Sequence, residues 1–219
     1  RAWMDEHPNP EVEVAVSFVK QIIQGLRAFH RQEMLHCDLK PENIMIDEIG
    51  QIKLIDFGSA RIAGVTELVS PIHTVGNQGT QGYTAPEVIL DERVSQVSDQ
   101  FSLGAIVYEM FASTLPYEDK LDKNLNAKKL SKLRYESTLV HNPNLPIWID
   151  GAIRKACCLD HTKRYEVLSE FLYDLEYPNS KFLSLQKDKK PESELNKYRL
   201  WIALSFAVNF VLLLLLIIK

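Results

Sequence analysis

Cysteine is scarce in this 219-residue chain: Cys37, Cys157 and Cys158 are its three, an odd number with two of them adjacent. Neither a disulfide framework nor a four-thiolate metal site can be assembled from them, and reduced thiols in a reducing compartment are expected. A basic excess is missing as well, because 25 Lys+Arg face 29 Asp+Glu for a formal charge of −4. Proteins that hold nucleic acid need clustered Lys and Arg to neutralise phosphates, so nucleic acid is excluded as a main partner. Glycine is sparse, nine in all, and the sequence holds no Gly-rich phosphate loop and no internal repeat. With 46% hydrophobic and 25% charged residues, neither a disordered nor a coiled-coil composition fits.

One long apolar run is present. From Leu200 to Ile218 only Ser205 and Asn209 interrupt it, and it is followed by Lys219. At 1.5 Å per residue such a helix covers about 28 Å, close to the ~30 Å hydrocarbon thickness of a bilayer. A globular core helix seldom stays apolar on every face for that length, and the position rules out a signal peptide. Lys181, Lys187, Lys189, Lys190, Lys197 and Arg199 precede the run and only Lys219 follows it. The positive-inside rule therefore expects a single-pass membrane protein with the preceding domain in the cytoplasm. Residues 178–199, charged and containing Pro178 and Pro191, read as a linker to that span.

Upstream, Asn9-Pro10 reads as a helix N-cap and first position, with Glu11 and Glu13 in the first turn, where a helix dipole favours carboxylates. Val12, Val16, Val19, Ile23 and Leu26 step by 4, 3, 4 and 3, one apolar stripe reaching about His30. Ile44–Ile46 and Ile52–Ile55 flank Asp47-Glu48-Ile49-Gly50 and read as a hairpin. His36-Cys37-Asp38-Leu39-Lys40-Pro41-Glu42-Asn43 precedes the hairpin and Asp56-Phe57-Gly58 follows it, so Asp38, Asn43 and Asp56 are expected at one edge. Asn43 and Asp56 are oxygen donors suited to Mg²⁺, which takes few protein ligands and completes its shell with phosphate and water. Asp38 is left to accept a hydroxyl proton, and Lys40 to neutralise a transferring phosphoryl group. Singly, each residue is equally a turn or cap residue; the specificity lies in the set.

These motifs resemble the catalytic half of eukaryotic-type protein kinases over residues 1–177. The segment His36–Asn43 resembles the catalytic loop, with Cys37 departing from the usual arginine, and Asp56-Phe57-Gly58 the magnesium-binding motif. Gly79-Thr80-Gln81-Gly82-Tyr83-Thr84-Ala85-Pro86-Glu87 is similar to the end of the activation segment. The resemblance implies a mainly α fold, a C-lobe of bundled helices with a small β-hairpin at the catalytic edge, followed by a single C-terminal transmembrane helix over 200–218. It implies ATP and Mg²⁺ as cofactors, Asp38 as catalytic base, Lys40 on the γ-phosphate, Asn43 and Asp56 on Mg²⁺, and Met45 under the adenine. Lys40 and Thr80, the latter facing substrate, imply serine/threonine transfer to protein substrates. Glu87 and Arg164 are expected to form a buried ion pair. Asp99, in the apolar stretch Val97–Met110, either ties down the catalytic-loop backbone or caps its own helix.

The early helix start at Asn9-Pro10 leaves no room for a Gly-rich loop or a Val-Ala-Ile-Lys strand ahead of it, so the chain is expected to be a C-lobe fragment partnered by an N-lobe from the rest of a parent polypeptide. A kinase domain followed by one span is similar to bacterial membrane-bound Ser/Thr kinases, including those fused to a PP2C-like phosphatase. Cys37 weakens the reading of a phosphate on the activation segment, where Thr66, Ser70 and Thr74 are either phosphorylation sites or solvated loop residues. A reactive thiol at Cys37 is a further reading, whereas Cys157-Cys158 fits core packing. Residues 118–147 read as an amphipathic helical region, either a docking surface or an ordinary solvated face. Two other functions share parts of the pattern: a scaffold that has lost transfer, against which Asp38, Lys40, Asn43 and Asp56 stand, and a small-molecule phosphotransferase, which lacks Ala85-Pro86-Glu87 and Arg164.

Overall fold

The computed structural model describes residues 1–62, 82–90, 94–122, 124–184, 201, 202 and 205. The chain divides into two compact units, Arg1–Asn179 and Ser180–Lys219. In the first, helix α1 (Ala2–Glu6) leads into the long helix α2 (Val12–Arg31). The turn between them corrects the expected start of α2. Asn9 takes left-handed backbone at φ 54°, which an Asn side chain tolerates better than most, so Asn9-Pro10 makes a turn and Glu11 becomes the N-cap. The stripe itself is Ala15, Val16, Val19, Ile22, Ile23 and Leu26, all buried. Trp3 of α1 meets Phe18 edge-on, with ring centres 4.9 Å apart.

Four short strands follow in two antiparallel pairs. β1 (Met34–Leu35) pairs with β4 (Arg61–Ile62), and β2 (Ile44–Ile46) pairs with β3 (Ile52–Leu54) in the register Ile44↔Leu54 and Ile46↔Ile52. Asp47 Oδ1 accepts from the backbone N–H of Ile49 (3.2 Å) and Gln51 (2.8 Å) and so closes the β2–β3 turn, while Gly50 supplies its left-handed corner at φ 78°. This hairpin lies against α2, where Gln21 Oε1 accepts from Ile52 N–H at 2.9 Å.

Helix α3 (Pro86–Ile89) is one turn, and α4 (Gln96–Ala112) is the axis of the unit. Fourteen of its seventeen residues are buried, as an all-round apolar helix requires. Its capping box uses Ser95 and Ser98, not Asp99. Helix α6 (Ile147–Ala156) crosses α4 at Gly104, where an added Cβ would lie 2.9 Å from both Ala156 Cβ and Cys157 Sγ. Only hydrogen fits there, so the two helices approach more closely than side chains allow. Cys157 is buried at this crossing and Cys158 is half-buried. Helix α7 (Leu168–Glu176) completes the core against α2 and α6.

Residues 118–147 are not an amphipathic helix. A single short helix, α5 (Ala127–Leu130), stands between one-turn 3₁₀ segments at Glu118–Lys120 and Thr138–Val140. The cause is local: Asn126 caps α5 by accepting from Lys129 N–H, Pro143 and Pro146 forbid helix further on, and of the leucines only Leu121, Leu125 and Leu145 reach the core. In the second unit, helix α8 (Ser180–Ser184) lies within the expected linker. Among the described residues no helix is long and apolar enough to cross a membrane. The span expected at 200–218 lies outside the described residues apart from Trp201, Ile202 and Ser205.

Candidate active site

The segment between β1 and β2 makes few backbone bonds of its own, and a side chain from α4 shapes it instead. Asp99, 1% exposed, accepts the backbone N–H of His36 on Oδ2 and of Cys37 on Oδ1, each at 2.9 Å. His30 Nε2, at the end of α2, stands 2.9 Å from the same Oδ2. One carboxylate therefore joins two helices to the loop. It also holds Cys37 in left-handed backbone at φ 64°, a conformation that costs a β-carbon-bearing residue about 1 kcal/mol or more and persists only where neighbours over-determine it.

Beyond that bend the loop turns through a 3₁₀ segment at Pro41–Asn43, and three side chains converge. Lys40 Nζ lies 2.8 Å from Asp38 Oδ2. Asn43, buried, donates from Nδ2 to the Asp38 carbonyl at 2.8 Å and to its Oδ2 at 3.3 Å. With its amide nitrogen engaged on Asp38, Asn43 keeps its Oδ1 oxygen as the atom that could serve as a ligand. The hairpin brings the next group alongside, because Ile55 N–H donates to the Asn43 carbonyl at 3.0 Å and Asp56 is the following residue. Asp56 is exposed, in left-handed backbone at φ 61°, with Oδ1 accepting from Gly58 N–H at 3.3 Å. An amide oxygen and a carboxylate are hard donors, and two of them fit Mg²⁺, which keeps water and phosphate in its remaining positions.

Phe57 is packed from below. Its ring stacks on Phe29 at 4.6 Å and meets His36 edge-on at 5.7 Å. Among the described residues neither buried ring nitrogen of His36 has a hydrogen-bond partner. Met45 is 54%, Phe57 44% and Ile62 55% exposed. Thr80 lies outside the described residues, as do Thr66, Ser70 and Thr74.

Glu87 and Arg164 form a two-pronged ion pair, Nη1 to Oε1 at 2.7 Å and Nη2 to Oε2 at 2.8 Å. Arg164 also donates to the carbonyls of Cys158 (2.7 Å) and Val97 (2.8 Å), and Ser98 Oγ donates to Glu87 Oε1 at 2.8 Å. Burial pushes the Glu87 carboxyl up, but the Arg164 guanidinium overrides it and holds the group below its ordinary 4.5. A second cluster was invisible in the sequence. Arg1 donates to Glu42 (3.1 Å), Glu109 (2.8 Å) and the Tyr83 hydroxyl (2.5 Å), and Tyr83 in turn donates to Glu109. Burial and then the Glu109 carboxylate push the Tyr83 phenol up, so it stays a donor. No spacing rule connects residues 1, 42, 83 and 109; His30 beside Asp99, 69 residues apart in sequence, gave no signal either.

The reactive-thiol reading of Cys37 fails on electrostatics. Burial first, and then the Asp99 carboxylate, push its thiol from 9.0 up to about 12, whereas a nucleophilic cysteine needs its pKa lowered. Alkylation by iodoacetamide at pH 8 is expected to run at least about tenfold slower at Cys37 than at free cysteine, read by mass spectrometry of the labelled peptide. Labelling as fast as free cysteine would contradict the burial argument.

Residues 3–172 match the family model described as protein kinase domain. The chain is 28% identical over 182 residues to the serine/threonine-protein kinase PrkC of Bacillus subtilis (strain 168), covering 80% of this chain and 28% of that protein. It is 29% identical over 164 residues to the "Probable serine/threonine-protein kinase CPE1738" of Clostridium perfringens (strain 13 / Type A), covering 75% of this chain and 23% of that protein. It is 39% identical over 109 residues to the serine/threonine-protein kinase dkf-2 of Caenorhabditis briggsae, which covers 48% of this chain and 9% of that protein. The chain thus spans less than a third of the length of each of these relatives.

Proposed function

Because the chain belongs to the protein kinase domain family, we propose that it carries the catalytic loop of a protein serine/threonine kinase, transferring the γ-phosphate of ATP to Ser or Thr of protein substrates. The observation that supports this best is the joining of Asp38, Lys40 and Asn43 into one hydrogen-bonded group, with Asp56 delivered beside Asn43 by the hairpin register. Asp38 accepts the substrate hydroxyl proton, and Lys40 balances charge on the phosphoryl group. Asn43 and Asp56 hold Mg²⁺, which supplies charge neutralisation to the ATP phosphates.

The exposed Met45, Phe57 and Ile62 support a second part of the proposal. Apolar side chains at a catalytic edge fit a nucleotide sandwiched against a further lobe, one that brings its own Gly-rich loop and lysine, with Met45 under the adenine. Residues 200–218, apolar apart from Ser205 and Asn209, support a membrane anchor with the catalytic unit on the Lys- and Arg-rich cytoplasmic side.

The test is transfer of labelled phosphate from Mg-ATP to a general protein substrate, with the detergent-extracted full-length protein beside its Asp56→Ala variant. Label on Ser or Thr that falls by about 10³-fold or more in the variant is expected, since metal-borne charge stabilisation is lost. Equal labelling by both would remove Asp56 from the metal site and sink the reading.

A further inference from the structure

We propose that Arg1 is a positioning residue, the second anchor of the catalytic loop, which fixes the turn that carries Asn43. The inference rests on the reading of Asn43 as a metal ligand and goes beyond it by naming what holds that ligand in place.

Asp99 secures the entrance of the loop, through the N–H groups of His36 and Cys37. The exit, Pro41–Asn43, is one 3₁₀ turn. Within it Asn43 N–H donates to the Lys40 carbonyl at 3.0 Å and Ile44 N–H to that of Pro41. Arg1 adds two bonds from outside: its main-chain nitrogen donates to the Pro41 carbonyl at 3.2 Å and its Nε to Glu42 Oε1 at 3.1 Å. The residues it holds are the two immediately before Asn43. The rest of the guanidinium grips Glu109, Nη1 to Oε1 at 2.8 Å and Nη2 to Oε2 at 3.3 Å, and Nη2 also donates to the Tyr83 hydroxyl. Asp99 and Glu109 both belong to α4, ten residues apart, or about 15 Å along its axis. One buried helix therefore suspends the loop at both ends, directly through Asp99 and by way of Arg1 from Glu109.

An exposed ion pair such as Arg1–Glu42 contributes little when both side chains must be ordered to form it. Here the guanidinium is already ordered by Glu109, 13% exposed, and by the buried Tyr83, so only the Glu42 side chain is left to order. The arrangement also requires arginine. Its flat guanidinium presents Nε to one carboxylate and the Nη pair to another at the same time, whereas an ammonium is a point charge. Mg²⁺ demands near-ideal octahedral geometry at about 2.0–2.1 Å. A slack turn at Glu42 is therefore felt at the oxygen of Asn43 as weaker metal binding.

The experiment compares the detergent-extracted full-length protein with Glu42→Ala, Arg1→Met, Arg1→Lys and the Glu42→Ala/Arg1→Met pair. Glu42 is exposed, and its loss leaves Arg1 on Glu109 and Tyr83, so that variant keeps the fold. Amide hydrogen exchange, which needs no turnover, is expected to run about tenfold or more faster at Asn43 and Ile44 in Glu42→Ala and in Arg1→Met, the loss of one charge-assisted hydrogen bond. The buried amides of α4 should be unchanged in Glu42→Ala. The pair should exchange no faster than Arg1→Met, because the two residues share one interaction. In phosphoryl transfer, the Mg²⁺ concentration for half-maximal rate should rise severalfold in both single variants, by more than kcat at saturating Mg²⁺ falls. A merely destabilised chain loses kcat and keeps its Mg²⁺ dependence. Arg1→Lys should match Arg1→Met in Mg²⁺ dependence while unfolding in urea closer to the unmodified chain. Unchanged exchange in Glu42→Ala, additive effects in the pair, or an unmoved Mg²⁺ dependence would overturn the proposal. Absence of transfer by the unmodified protein would instead count against the proposed transfer reaction, and the exchange data would then decide by themselves whether Arg1 holds the turn.

Discussion

The Asp38→Asn protein is expected to bind Mg-ATP as tightly as the unmodified one and to transfer phosphate about 10²–10⁴-fold more slowly, the usual contribution of a positioned general base. Asparagine keeps the shape of Asp38. The loop carbonyl that Asn43 grips at 2.8 Å belongs to the backbone and is untouched. What disappears is the charge facing Lys40 at 2.8 Å and the lone pair that takes the proton. Nucleotide affinity should survive, because Asn43 and Asp56 are intact. Single-turnover rates and a separate nucleotide-binding titration check the split; equal loss of affinity and rate would move Asp38 out of the proton-accepting role.

The second large effect concerns stability. Arg164→Ala is expected to destabilise the first unit by about 3–5 kcal/mol, measured by urea unfolding. The substitution leaves Glu87, 3% exposed, without its guanidinium partner and with Ser98 Oγ as its remaining side-chain donor among the described residues, and it removes the donor from the carbonyls of Cys158 and Val97. Arg164→Lys should recover only part of the loss, since an ammonium cannot make the paired contact. The effect has a sign in pH. The Glu87 carboxyl is depressed by Arg164, so its contribution is fully present above the unfolded value of 4.5 and is lost as the pH falls through the lower folded one. Acid unfolding of the unmodified protein should therefore begin below pH 4.5, and in Arg164→Ala this contribution should already be absent at neutral pH. A destabilisation near zero would show the pair to be dispensable.

What the sequence revealed and what it hid divide along physical lines. The α2 stripe, the β2–β3 hairpin and the buried α4 were legible because 3.6- and 2-residue periodicities write burial directly into residue order. The beginning of α2 was misread, and the role of Asp99 near the start of α4 was left between two alternatives, because an Asn-Pro pair and an Asp near a helix start each have two competing uses. Asn9 took a left-handed turn and Asp99 reached across to the loop, leaving the capping to Glu11 and Ser95. In residues 118–147 Leu121, Leu125, Leu130 and Leu133 suggested helix, but Asn126, Pro143 and Pro146 broke the run. The Arg1–Glu42–Tyr83–Glu109 cluster and the His30 contact join segments tens of residues apart, and no local pattern encodes such meetings. Within the site, motif spacing put Asp38, Asn43 and Asp56 on one edge; the hydrogen bond from Asn43 to Asp38 that orders them follows only from the turn at Pro41–Asn43.

Asp99 holds the catalytic loop by main-chain N–H groups alone. Those groups are common to nineteen of the twenty amino acids, so the bend at position 37 asks nothing of the side chain there except tolerance of positive φ. The frame of the loop at Cys37 therefore rests on Asp99 and His30, and not on the side chain at position 37.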